Sequence, residues 1–191
     1  MLLSSPEALS LLQTRRSTPP LLLAEPAPDA EALRTILAIA SRVPDHGKLA
    51  PWRFIVYAGE ARVRASALIE KVFLSRNPSA DAGTRQKEAT RFTLAPLVIG
   101  VVSTAAPHEK IPVWEQELSA GAACQNILIA CTSLGFGASW LTGWFAYDAE
   151  VLPLLGVKPG ERVAGFVHIG TPRERVPDRP RPDPATLTTA F

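Results

Sequence analysis

The chain has 191 residues, 47% of them apolar and 20% charged, with a formal net charge of +2. That length suits one domain with a substantial core and is short for two. So small a charge gives no electrostatic case for nucleic acid, and two cysteines without a CxxC pattern exclude a disulfide scaffold or a cysteine zinc site.

Ser5-Pro6-Glu7 opens a first helix with a hydroxyl cap, a proline at the first helical position and an early acid. Ala8, Leu11 and Leu12 give it one apolar side, and Arg15-Arg16-Ser17 stands where it stops. Taken alone, this triplet has two readings: a solvated surface, or a phosphate grip in which guanidinium forks match phosphate oxygens. Pro19-Pro20 and Pro26-Ala27-Pro28 predict an extended connection. Asp29 caps a second helix carrying Leu33, Ile36, Leu37 and Ala40 at helical spacing, with Pro44 as its expected end.

Arg53 to Tyr57 predicts a strand, Glu60 to Leu74 a helix, and Thr84 to Arg91 a further turn or two of helix after a loop. Leu97 to Val102 is a continuous apolar run, the pattern of a strand covered on both faces. A long helix follows from about Trp114 to Leu134, ended by Gly135. On it Cys124 and Cys131 would lie about 10 Å apart along the axis, too far to bridge, as suits buried thiols in a reducing cytoplasm. From Leu118 to Tyr147 there is no charged side chain, a length that could span a bilayer. Gln125 and Asn126 fall inside it and Gly135-Phe136-Gly137 divides it, so a fully buried helix is the expectation instead. The N-terminus lacks a basic region and a long apolar run, so no signal peptide is expected.

Ala138 to Thr142 predicts a strand, Ala149 to Leu155 a short helix and Val163 to Ile169 a last strand. Strands alternating with helices indicate an α/β or α+β sandwich. After Gly170 prolines recur through Pro184, which excludes helix or central strand and leaves disorder or an extended arm.

Several chemistries find no motif: there is no GxxxxGK[ST] phosphate loop, no GxGxxG after a strand and no GxSxG elbow. His46, His108 and His168 lie far apart without metal-ligand spacing, and His168, alternating with apolar residues, reads as structural. Four segments remain: Arg15-Arg16-Ser17; the donor-rich loop Arg42-Val43-Pro44-Asp45-His46-Gly47-Lys48-Leu49-Ala50-Pro51-Trp52; the small-residue stretch from Glu115 to Asn126; and Leu134 to Gly143, where a glycine turn feeds Ser139-Trp140-Leu141-Thr142. Singly, each has a plain structural role. A solvated surface, a polar connection, close helix packing and a turn would account for them.

In this order the four segments resemble the nitroreductase family of flavoproteins, and most of all its compact NAD(P)H nitroreductase subgroup, over nearly the whole chain. The resemblance implies an α+β sandwich, a mostly antiparallel sheet flanked by helices, with the long helix at the interface of a homodimer. It implies a single flavin-binding domain over 1–170 and an arm, 171–191, packed on the partner subunit with Phe191 in an apolar pocket. Arg15 and Ser17, with Arg16 adjacent, would bind the phosphate and ribityl chain of a tightly held, non-covalent FMN. Arg42 and His46 would reach that flavin from the second subunit, and Trp140, Leu141 and Thr142 would lie behind its ring system.

The implied activity passes hydride from NAD(P)H through flavin N5 to a small-molecule acceptor such as a nitroaromatic or quinone, with ping-pong kinetics. No protein nucleophile, metal, nucleic acid or membrane is involved, and the location implied is cytoplasmic. Two alternatives keep the flavin: a binding or sensing protein without turnover, or another flavin reaction on the same fold, such as dehalogenation or dehydrogenation. Two positions depart from the family: Ala50 stands where Gln is frequent, and Leu141 where relatives can carry arginine. Arg181 falls where some relatives place a further phosphate contact.

Overall fold

The computed structural model describes residues 4–191. Its first helix, α1 (Pro6–Thr14), starts as the caps predict: the Ser5 hydroxyl accepts from the Ala8 amide at 3.3 Å. A two-residue strand, β1 (Leu23–Ala24), follows in the proline-rich connection and was not anticipated. Helix α2 (Ala30–Ala40) begins at Asp29, whose carboxylate accepts from the Glu31 and Ala32 amides. It ends at Ala40 rather than at Pro44. Asn126 donates to the carbonyls of Ile39 and Arg42, so a neighbouring helix satisfies the chain end and the turn tightens early.

Strand β2 (Trp52–Ala58) and helix α3 (Glu60–Arg76) fall as expected, and α4 (Ala82–Ala89) starts two residues early because Asp81 caps it. Strand β3 (Leu97–Ser103) is buried along its whole length. Helix α5 (Val113–Ser133) stops where Gly135 takes φ 84°, a conformation open to glycine without a Cβ penalty. Strand β4 (Gly137–Leu141), the short α6 (Val151–Leu154) and β5 (Arg162–Pro172) complete the order. The last strand runs on past Ile169 because Thr171 and Pro172 pair with β1.

All strand pairs are antiparallel: β2 pairs β3, β3 pairs β5, and β4 and β1 also pair β5. Alternation along β3 sorts the core into two clusters. Leu97, Ile99 and Val101 pack with Ile36 of α2 and with Cys124, Ile127 and Cys131 of α5. Val98 and Val102 face the other way, onto Ile69 of α3, Phe92, Phe145, Phe166 and Val151 of α6. The sheet is thus covered on both faces, as the apolar run of β3 requires. Among the described residues no helix is long and apolar enough to cross a membrane.

Both cysteines lie buried on α5, and burial pushes each thiol up to about 12, which leaves neither as a nucleophile at neutral pH. Beyond Pro172 the chain is mostly exposed, with Val176 half-buried against the cleft, and its one regular element is a short 3-10 turn, Pro184–Leu187, capped by Asp183. Phe191 is fully exposed on this chain.

Candidate active site

Arg15 and Arg16 leave α1 at its C-terminal end and line a cleft of about 400 Å³ with Thr18, Thr132, Phe136, Gly137, Glu174 and Arg175. Arg16 is already engaged. Its guanidinium donates to the Pro177 carbonyl at 2.7 Å and lies 3.6 Å from the Asp178 carboxylate, tying the C-terminal segment to the cleft. Arg15 makes no ion pair among the described residues. Burial lowers its affinity for a proton, and the positive charges of Arg181 and Arg16 lower it further. A half-buried cation facing two others is a costly arrangement until an anion joins it. Ser17, half-buried beside them, makes no side-chain hydrogen bond among the described residues.

Trp140, Leu141 and Thr142 lie exposed where β4 ends. The Trp140 indole turns back on its own sheet and donates to the Ala164 carbonyl at 3.0 Å. Room for it exists because residue 165 is glycine: a Cβ there would sit 1.9 Å from the indole nitrogen. The outer edge of the ring reaches α5 at Gly121. Gly143 is fully extended, and the turn Trp144–Ala146 follows. The Trp144 indole donates to Glu88 at 2.9 Å.

The loop 42–51 is held to the first half of α5. Ser119 donates to the Pro44 carbonyl at 2.7 Å and receives the Trp52 indole at 3.1 Å. Gly47, Lys48 and Ala50 all have positive φ, between 46° and 72°. For Lys48 and Ala50 this costs roughly 1–2 kcal/mol each, offset by the Asp45 carboxylate, which accepts from the Leu49 and Ala50 amides. His46 meets Glu115 at 2.8 Å, and the two border a second cleft with Pro44, Leu118, Ser119 and Ala122. Arg42 is exposed and makes no ion pair among the described residues. The small residues of α5 divide their roles accordingly: Ala120 and Ala123 pack in the core, while Ser119, Gly121 and Ala122 serve the loop, the indole and the cleft.

The residues singled out from sequence therefore fall into separate places on one chain. Thr132 borders the arginine cleft and Glu115 the His46 cleft, about 25 Å apart at about 1.5 Å rise per residue along α5. Arg15, Arg16 and Arg181 are brought together; Arg42 and His46 are not joined to them within one subunit. The hydrogen bond between His46 and Glu115 and the Glu88 clasp on Trp144 were not foreseen. Both depend on residues far apart in sequence, and the acidic start of α5 is the only local trace, and of the first alone. His168 is a core residue as read, 2% exposed, and burial lowers its pKa to about 4. Among the described residues no group of three His, Cys, Asp or Glu side chains could hold a metal ion.

Comparison with known proteins bears on what this arrangement serves. Residues 12–171 match the model of the Nitroreductase family. The chain is 37% identical over 186 residues to the Escherichia coli (strain K12) protein named "Putative NAD(P)H nitroreductase YdjA", covering 97% of this chain and 100% of that one. Among solved structures, a nitroreductase-like family protein from Bacillus cereus superposes with a TM-score of 0.82 at 22% identity, covering 100% of this chain and 99% of the other. A nitroreductase with bound FMN from Bacteroides fragilis NCTC 9343 superposes with a TM-score of 0.73 at 23% identity, covering 98% and 100%. The antiparallel sandwich, the match over most of the length and the identity to that relative agree: the chain belongs to the nitroreductase family.

Proposed function

We propose that this protein is an FMN-dependent oxidoreductase that takes electrons from NAD(P)H and gives them to a small oxidised acceptor, a nitroaromatic or a quinone. The observation that carries the reading is the Arg15 guanidinium, part-buried, without an acid and faced by Arg16 and Arg181. A phosphate monoester is the anion that such a donor set fits, because several guanidinium forks can share its oxygens. FMN carries that phosphate, and when bound it supplies the two-electron relay between donor and acceptor.

The residues have distinct tasks in this reading. Arg15 and Ser17 hold the phosphate end. Arg16 does so while anchoring the C-terminal segment through Pro177 and Asp178, which narrows the cleft against water. Trp140, Leu141 and Thr142 offer an apolar wall and backbone donors for the ring end, and Leu141 leaves that wall without a cation. His46, about 25 Å away along α5, and Arg42, held beside Asn126, act on the site of a second copy, so the working unit is a homodimer. The exposed Trp114 and Leu118 on α5 supply apolar surface for that contact. The unit 1–170 then forms the flavin-binding domain, and the segment from 171 onward, with Leu187 and Phe191 exposed, forms the arm that packs on the second copy.

Purified protein should be yellow with bound FMN and should bleach on anaerobic addition of NADH or NADPH. A preparation that binds no flavin on reconstitution would overturn the reading. One that binds flavin but never bleaches would instead be a flavin-binding protein without turnover.

A further inference from the structure

Two tryptophans bracket the segment assigned to the flavin ring, and each ends in a fixed acceptor. Along β3 and β5 the pairing runs Val101 with Gly165, then Val102 with Val163, so Ala164 is the unpaired residue of a β-bulge. Strand β4 stops pairing at Phe166, so no strand claims the Ala164 carbonyl from that side. The Trp140 indole takes it at 3.0 Å, lying over the bare backbone of Gly165.

On the far side of Leu141, Thr142 and Gly143, the Trp144 indole donates to Glu88 at 2.9 Å. Glu88 is a carboxylate only 3% exposed. Burial pushes its carboxyl up, but the hydrogen bonds from Arg91 and Trp144 and the Arg91 charge more than offset this and hold it ionised, below the ordinary range. Arg91 in turn lies 5.5 Å over the ring of Phe145, the next residue of the same turn. The acceptor is thereby immobilised from several directions. No strand pairs with 142 and 143; the stretch is held at one end by Leu141 pairing with Phe166 and at the other by the buried Phe145 and Ala146, and the two indoles add a side-chain tether at each end.

We propose that Trp140 and Trp144 are positioning residues, whose indole N–H groups, held by the bulged Ala164 carbonyl and by the buried Glu88 carboxylate, suspend Leu141-Thr142-Gly143 at a set distance from the flavin ring. This rests on the flavin reading above. Neither indole spends its polar atom on the cofactor. A suspended segment keeps its backbone donors aimed at the ring through a reaction cycle, and a slack one would not.

The test uses full-length W140F, W144F, E88A and E88Q. Phenylalanine keeps an aromatic ring but loses the N–H and part of the indole's bulk, and glutamine keeps an acceptor oxygen. In the FMN-free protein, amide hydrogen exchange over residues 140–147 should be about tenfold faster in W140F, W144F and E88A, with β3 unchanged. In the loaded protein the same variants should weaken binding of reduced FMN relative to oxidised FMN about tenfold, a fall in potential of about 30 mV for a two-electron couple. E88Q, which keeps an acceptor for the indole but loses the Arg91 ion pair, should fall between wild type and E88A in both. Exchange and potential unchanged in W140F and W144F would overturn the proposal. The half-exposed Trp140 keeps that outcome readable even if the Glu88 variants unfold. A wild-type chain that takes up no FMN would instead overturn the flavin reading, while the exchange arm still decides whether the indoles hold the segment.

Discussion

At the centre of the sheet His168 is buried, neutral and flanked by apolar strands; at the rim Arg15 is half-buried, charged and flanked by further guanidiniums. Around His168, burial keeps the imidazole unprotonated. The cleft gathers several guanidiniums; Asp178 pairs with Arg16 and Arg181, while Arg15 makes no ion pair among the described residues. A fold that keeps this buried imidazole neutral yet leaves Arg15 facing two other cations at its edge is shaped there for something other than its own stability. Core changes should therefore move stability and spare the cofactor, and cleft changes should do the reverse.

The largest effect expected on the core side is a pH dependence. His168 takes a proton near pH 6.5 when unfolded but only near pH 4 in the fold. Stability is thus present above pH 6.5, falls by roughly 3 kcal/mol as pH drops to about 4, and levels off below, as far as this group is concerned. Chemical denaturation across that window should show the slope, and H168Q should lose it. A slope of the same size in H168Q would place the acid sensitivity elsewhere.

Next comes Arg53, which donates to Glu161 twice and to the Gly156 carbonyl, far from the cleft. Arg53→Ala should cost about 1–2 kcal/mol in urea denaturation. Smaller still, Asp29→Ala removes the α2 cap for about 1 kcal/mol. Both variants should hold FMN affinity within about twofold, since distant sites add independently. A larger loss in either would blur the distinction between core and cleft.

What could be read in advance follows the range of the forces involved. Ser5-Pro6 and Asp29 announce helix starts because a cap acts within three residues, and β3 announces itself by an unbroken apolar run. The end of α2 and the last residues of β5 could not be read, because Asn126 and Leu23–Ala24 set them from far along the chain. The site divides in the same way. Arg15-Arg16-Ser17 is legible as a local cluster of donors. The closeness of Arg181, the His46–Glu115 pair and the Glu88 hold on Trp144 arise only when distant segments meet. The two-residue β1 is too short to carry any periodic pattern at all.

The most direct measurement compares Arg15→Ala with wild type in two readouts: FMN affinity by titration of the FMN-free protein, and the thermal midpoint of that same FMN-free protein. Without the charge-assisted hydrogen bonds from this guanidinium to the phosphate, affinity should fall about 10- to 100-fold. With a repelled cation removed, the midpoint should hold or rise. Unchanged FMN affinity, or a lowered midpoint with affinity intact, would show that Arg15 supports the fold and does not hold the cofactor.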